Sequence, residues 1–235
     1  MASFPPVFRR SFGGRNPDPV PMYVGTGVGT KILFILTVSF AFNSMSLADE
    51  PLKSKGGVAL EKATFAGGCF WCMEPPFEKL KGVGEVISGY TGGHKDKPTY
   101  EEVSAGKTGH AEAIQFFYDP AQITYPELLE VFWRNIDPTT PDRQFVDVGS
   151  QYRSAIFYHN EEQKRLAQES KKDLEKSGRF QKPLVTEISP ASAFYPAEAY
   201  HQDYYQKSPF RYKLYRFNSG RDQFLDRVWG KDREK

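Results

Sequence analysis

Two cysteines and four histidines in 235 residues leave little room for metal or disulfide chemistry. Cys69 and Cys72 form a single C-x-x-C pair, which excludes a disulfide framework. Structural zinc usually takes four ligands; no second C-x-x-C exists, and His94, His110, His159 and His201 lack ligand spacing. A c-type haem site needs His after the second cysteine, where Met73 stands. Charge of one sign is also scarce, with 31 basic and 29 acidic residues. Four of those bases (Arg9, Arg10, Arg15, Lys31) and one acid (Asp18) lie in residues 1–48, so the remainder is one charge negative. Nothing in that balance points to nucleic acid or an anionic membrane surface. The apolar run Ile32–Phe42 falls well short of the ~20 residues that span a bilayer as a helix. Redox chemistry is what remains, with a buried, inert cysteine pair as the alternative.

The composition that is present is 39% apolar and 26% charged, that of an ordinary globular chain. Aromatics reach 15%, an excess that needs a structural reason. Its length suits one domain plus an extra segment. Lys31, the apolar run and the small-residue site Ser46-Leu47-Ala48 have the layout of a secretory signal. Residues 1–48 are therefore expected to be a targeting segment and the protein secreted or periplasmic, with an uncleaved anchor or a buried helix as the alternative. Residues 1–30 are long and rich in Pro and Gly for such a leader, which makes Met22 a candidate start. A linker over 49–58, a catalytic domain over 59–212 and a tail over 213–235 are expected to follow.

Strands are predicted over 59–66, 83–90, 111–118, 154–158 and 183–188, with loops over 91–99 and 137–149. A helix is predicted over 69–81, where Pro75 and Pro76 restrict its course. Thr124 with Glu127 forms a capping box, and Leu128, Leu129, Phe132 and Ile136 follow at helical spacing. Asn160 with Gln163 resembles a second box, on a helix that Gly178 stops. The structure of 194–206 is left open. The order predicts an α+β two-layer sandwich with a mixed sheet, built on a ferredoxin-like split β-α-β core.

The sharpest motif is Gly67-Gly68-Cys69-Phe70-Trp71-Cys72. A cysteine at a helix N-terminus is favoured as thiolate, the attacking species. Cys72, three residues on, lies on the same face and can act as a resolving partner. Phe70 and Trp71 either line a small apolar pocket or fill core. Glu112 sits in an apolar, aromatic strand, where desolvation raises the pKa of a carboxyl and keeps a proton available. The alternative for Glu112 is a solvated place on the polar strand face. Asp147, Gln151, Tyr152 and Arg153 crowd one loop-to-strand entry and can hydrogen-bond a polar substrate, or serve as turn and surface residues. The aromatic segment 194–205 covers a pocket or fills a second core, and His201 fits a scaffold as well as a catalytic role.

Together, six ordered blocks resemble the peptide methionine sulfoxide reductase A family: Gly-Cys-Phe-Trp (68–71), Gly-Tyr-Thr-Gly-Gly (89–93), Tyr-Glu-Glu-Val (100–103), Thr-Gly-His-Ala-Glu (108–112), Gln-Tyr-Arg-Ser (151–154) and Ala-Glu-Ala-Tyr-His-Gln (197–202). The resemblance implies that Cys69 attacks the sulfoxide sulfur and that Phe70 and Trp71 hold the substrate methyl. It implies that Glu112 protonates the oxygen, that Tyr100 and Tyr152 bind it, and that Asp147 supports the polar side. It further implies action on the S epimer, free or in oxidised proteins, without metal or organic cofactor, and with electrons from thioredoxin or another dithiol. A monomer is expected. Many members of the family carry Gly at the position of Cys72 and recycle through tail cysteines; no cysteine follows Cys72 here, which makes Cys72 the expected resolving thiol, with direct attack of an external thiol on sulfenic Cys69 as the rival. A thioredoxin-like dithiol oxidoreductase would keep the C-x-x-C but leave Glu112, Tyr100 and Tyr152 idle. A binding module for oxidised or methionine-rich proteins would use the aromatics alone.

Overall fold

A computed structural model describes Gly57 and residues 59–233. The expected targeting segment and almost all of the linker lie outside the described residues. The chain runs β1 (Glu61–Gly67), α1 (Phe70–Glu78), β2 (Val83–Thr91), α2 (Tyr100–Ser104), β3 (Ala111–Tyr118), α3 (Tyr125–Trp133), β4 (Arg143–Gln144), β5 (Asp147–Val148), β6 (Ser154–Tyr158), α4 (Glu161–Lys176), β7 (Glu187–Pro190), β8 (Tyr195–Pro196), α5 (Tyr204–Lys207), α6 (Pro209–Asn218) and α7 (Arg221–Trp229). Six strands form one sheet in the order β7-β6-β1-β3-β2-β8. β3 lies antiparallel between β1 and β2, and α1 joins those two, so β1-α1-β2 is the expected split unit. Only β6 and β7 pair in parallel, through α4, and the sheet is therefore mixed. The predicted α+β architecture is the one observed.

Period-two alternation decides which side chains face the helices. On β3, Ile114, Phe116 and Tyr118 enter the main core, whereas Ala111 and Ala113 join a smaller cluster with Ala66, Ala155 and Phe157. Phe65 on β1 contacts Phe77, Phe116, Tyr125 and Phe132 at centroid distances of 5.1–6.1 Å. This cluster absorbs part of the aromatic excess. Thr124 caps α3 by accepting from Glu127 N, while Glu127 accepts from Thr124 N at 2.7 Å, as its capping box predicts.

Several boundaries differ from expectation, each for a local reason. Helix α1 begins at Phe70, after Cys69 as its N-cap, and ends at Glu78. Asn160 accepts from Gln163 N, but Gln163 Oε1 accepts from His159 N, so that box is half formed. The last parallel strand covers 187–190 rather than 183–188. Pro183 has no N–H for a ladder; Val185 N donates to Pro138 O, and Thr186 O accepts from Lys171 Nζ. The 137–149 loop folds into the small hairpin β4–β5. The expected domain end at 212 falls inside α6, and Leu225 and Trp229 of α7 belong to the main core. Residues 213–229 are thus part of the folded domain.

Candidate active site

Glycine places the first cysteine. Gly68 has φ +80°, and a Cβ there would collide with Gln144. That close approach ends β1 and turns Cys69 onto the N-terminus of α1. Cys72 N donates to Cys69 O at 3.0 Å, fixing both thiols on one turn. Cys69 is 6% exposed and Cys72 only 1%.

A cavity of about 120 Å³ opens above Cys69 and is lined by Cys69, Phe70, Trp71, Tyr100, Glu112, Asp147, Tyr152 and Tyr215. Of the residues singled out from sequence, Cys69, Phe70, Trp71, Tyr100, Glu112, Asp147 and Tyr152 are on that wall, and Cys72, Gln151, Arg153 and His201 are not. Glu112 is on the helix-facing side of β3 and is 2% exposed, not on the polar strand face. Its Oε2 accepts from Phe70 N at 3.1 Å. Burial drives its pKa up to about 8, against that one hydrogen bond, so a neutral carboxyl faces Cys69 at pH 7. Tyr100 is carried by α2, whose first turn is held by Glu198 accepting from Tyr100 N at 2.9 Å. Gln151 Nε2 donates to Ser104 O at 2.9 Å, which brings the turn bearing Tyr152 against α2. Burial pushes the Tyr100 phenol up to about 12 and the Tyr152 phenol upward as well, so both remain donors. Asp147, raised by burial, accepts from Tyr215 Oη at 2.5 Å.

Trp71 is held on three sides. Its Nε1 donates to His201 Nδ1 at 3.0 Å, Tyr204 stacks on it at 3.8 Å, and Tyr215 meets its edge at 6.0 Å. Phe70 packs on His201 at 5.0 Å. The 197–202 segment therefore covers and orients the aromatic wall, with His201 as a hydrogen-bonded part of it.

The charge on the cysteine pair differs from the expectation of a Cys69 thiolate. Burial and the hydrogen bond with Cys72 hold Cys69 well above the usual thiol range. The hydrogen bond from Cys69 brings Cys72 down to about 6 despite burial, helped by the positive charges of Arg221 and Arg216. Within the pair, burial disfavours a charge on Cys69 and the guanidinium charges favour one on Cys72. The helix N-terminus is outweighed at Cys69 by desolvation of a nearly closed site.

Tyr215, Arg216 and Arg221 complete the surroundings, and no sequence motif singles them out. The usable signal was the helical spacing of Leu225, Val228 and Trp229, which shows that the chain past 212 has a face to bury. Among the described residues no group of three or more His, Cys, Asp or Glu is arranged to hold a metal ion. What the site offers is a thiol pair, a neutral acid, phenol donors and an apolar wall around one small volume.

Comparisons with known proteins agree with that chemistry. A sequence model of the peptide methionine sulfoxide reductase family matches residues 61–233. The peptide methionine sulfoxide reductase MsrA of Listeria monocytogenes serotype 4b is 58% identical over 171 residues, covering 73% of this chain and 97% of its own length. That of Bacillus licheniformis is 55% identical over 175 residues, covering 74% and 97%. Among solved structures, Mxr1 of Saccharomyces cerevisiae in reduced form superposes with a TM-score of 0.62 at 32% identity, covering 69% of this chain and 92% of that one. Methionine sulfoxide reductase A of Corynebacterium diphtheriae gives 0.57 at 33% identity, covering 64% and 76%.

Proposed function

The chain belongs to the peptide methionine sulfoxide reductase family and reduces methionine sulfoxide, and from that premise we propose how its own residues do so. The substrate is the S epimer, free or in oxidised polypeptides. Its methyl lies against Phe70 and Trp71, and its oxygen accepts from Glu112, Tyr100 and Tyr152. Asp147 holds the polar side together through Tyr215. Cys69 passes its proton along the hydrogen bond to Cys72 and attacks the sulfoxide sulfur. Sulfoxide oxygen departs from sulfur only once protonated, and Glu112 supplies that proton. The oxygen ends on Cys69 as sulfenic acid, and methionine leaves. Cys72 then displaces it as a disulfide, which a thioredoxin-like dithiol reduces. No metal or organic cofactor takes part.

The observation that carries this reading is the neutral Glu112 carboxyl in the same cavity as Cys69. The test is a coupled assay on both sulfoxide epimers, with mass spectrometry for a Cys69–Cys72 bond. The S epimer alone should be reduced, and Cys69→Ala should be inactive. Cys72→Ser should still release about one methionine per enzyme but lose dithiol-driven turnover. Full activity of Cys69→Ala would end the proposal. We also propose export through the Lys31–Ala48 pattern, which N-terminal sequencing of the exported protein checks.

A further inference from the structure

Arg221 is the largest wholly buried side chain, at 1% exposure. Its Nη1 donates to Asn135 O at 2.5 Å and lies 3.6 Å from Met73 Sδ; its Nη2 donates to Gly67 O at 3.0 Å. Phe145 covers its face at 4.6 Å, and Nε has no partner. Among the described residues no carboxylate is within ion-pair distance of it. Neutral donors would serve those carbonyls as well. A buried cation is costly without negative charge nearby; Asp147 feels the field of Arg221 but stands outside ion-pair distance, accepts from Tyr215, and opposes a charge on Cys72. Arg221 lies directly under the Gly67-Gly68 turn that carries the cysteine pair, close enough that a Cβ on Gly68 would be 3.2 Å from its Nη2.

Arg216 reaches the same place from α6. Pro76 lacks the N–H that an α-helix would direct to Cys72 O. Arg216 Nη1 donates to that carbonyl instead, at 3.3 Å. Asp222 fixes the guanidinium, accepting at 2.9–3.1 Å. Two positive charges thus flank the turn that carries Cys72, the more buried thiol of the pair: Arg216 on the Cys72 carbonyl, and Arg221 on the Gly67 carbonyl beside Met73 Sδ.

We propose that Arg216 and Arg221 are positioning residues for recycling, keeping Cys72 as thiolate while Cys69 is a sulfenic acid. This rests on Cys72 being the resolving thiol. In the step, the Cys72 thiolate attacks the sulfenic sulfur of Cys69. An S–S bond forms and the S–O bond breaks. Hydroxide leaves and takes a proton from solvent to become water, with Cys72 oxidised and the sulfenic sulfur reduced to the disulfide level. The negative charge that reacts is the one the arginines hold.

Two measurements test it. In a Cys69→Ala chain, thiolate absorbance against pH reports Cys72 alone. Adding Arg221→Met should raise the midpoint by about one pH unit or more, a roughly tenfold loss of thiolate below it. Arg221→Lys should restore most of that, and Arg216→Gln should raise the midpoint less. In the chain with both cysteines, single-turnover quench should show disulfide forming about tenfold more slowly relative to methionine release in Arg221→Met at pH 6, with the gap closing as pH rises. Folded variants whose midpoints match the parent overturn the proposal, as does equal slowing of both steps at every pH. Should Arg221→Met fail to fold, Arg216→Gln must still move the midpoint upward, and an unmoved midpoint is decisive against it. A Cys72→Ser enzyme with full dithiol-driven turnover would remove the resolving role of Cys72, a failure the titration does not share.

Discussion

Replacing Glu112 by Gln separates proton transfer from everything else that side chain does. Gln keeps the volume, and its amide can still accept from Phe70 N, the 3.1 Å bond that Glu112 makes. What it cannot do is release a proton to the sulfoxide oxygen. General acid catalysis by a placed side chain contributes about 10²–10⁴-fold, and the single-turnover rate of methionine formation should fall by that factor at pH 7. In barrier terms this is roughly 3–5 kcal/mol. The pH profile gives an independent check. Burial lifts the Glu112 pKa to about 8, so the acid form prevails at pH 7 and is lost above 8. The parent rate should fall along that limb, and Glu112→Gln should lack it. Stability moves the other way. With its folded pKa raised, Glu112 contributes stability that is full below the unfolded pKa of about 4.5 and is lost as pH rises through about 8. At pH 9 the Gln variant should therefore resist urea better than the parent, by up to several kcal/mol. A folded variant that keeps its rate within about threefold, or keeps the alkaline limb, would remove Glu112 from the chemistry.

Other expectations concern the scaffold. Phe65→Ala opens a hole among Phe77, Phe116, Tyr125 and Phe132 and should cost about 3–5 kcal/mol in urea unfolding. Thr124→Ala removes the cap of α3 and should cost about 1 kcal/mol by the same measure. His201→Phe takes away the acceptor of Trp71 Nε1, so KM for the sulfoxide should rise more than kcat falls in steady-state assays. Glu74 is buried with one carboxylate oxygen unpartnered, and burial raises its pKa to about 7. Its contribution to stability is full below pH 4.5 and lost as pH passes 7, so Glu74→Gln should gain thermal stability over the parent at pH 8 and not at pH 4.

The parts legible in the sequence are those whose physics is local. Residues 111–118 and 154–158 read as strands because β-formers run there between turn signals, and both lie where expected. For Glu112 the sequence leaves burial and a solvated strand face both open; the signal that favours burial is period two, which puts it on one face with the large apolar residues at 114, 116 and 118. Tyr215 was not readable. Its place depends on the bond to Asp147 across 68 residues of chain, and nothing within a few residues of either one encodes that meeting. Arg221 was hidden for a related reason. A basic residue two positions after Ser219 reads as a solvated helix start, and only the tertiary fold turns it under Gly67. The environment of the cysteine pair is only partly legible, because the helix N-terminus is a near-neighbour effect, while desolvation of Cys69 is set by elements far along the chain.

The same arrangement bears on how the enzyme is emptied of its oxidising equivalent. Cys72 is the deeper sulfur, so an external dithiol meets the proposed disulfide from the cavity side, at Cys69. Attack there expels Cys72 as the leaving thiolate. A leaving thiol of low pKa departs faster, and Cys72 is brought down to about 6. Arg216 and Arg221 would then serve both halves of recycling, because the charge they favour is the attacking one when the disulfide forms and the departing one when it opens. In methionine sulfoxide reduction itself they favour the wrong sulfur, since the first charge must move to Cys69 before attack. The neutral form of Glu112 eases that transfer by keeping a second negative charge away from Cys69. Substitutions at the two places should therefore slow different steps: loss of the arginine charge retards recycling, and loss of the Glu112 proton retards reduction.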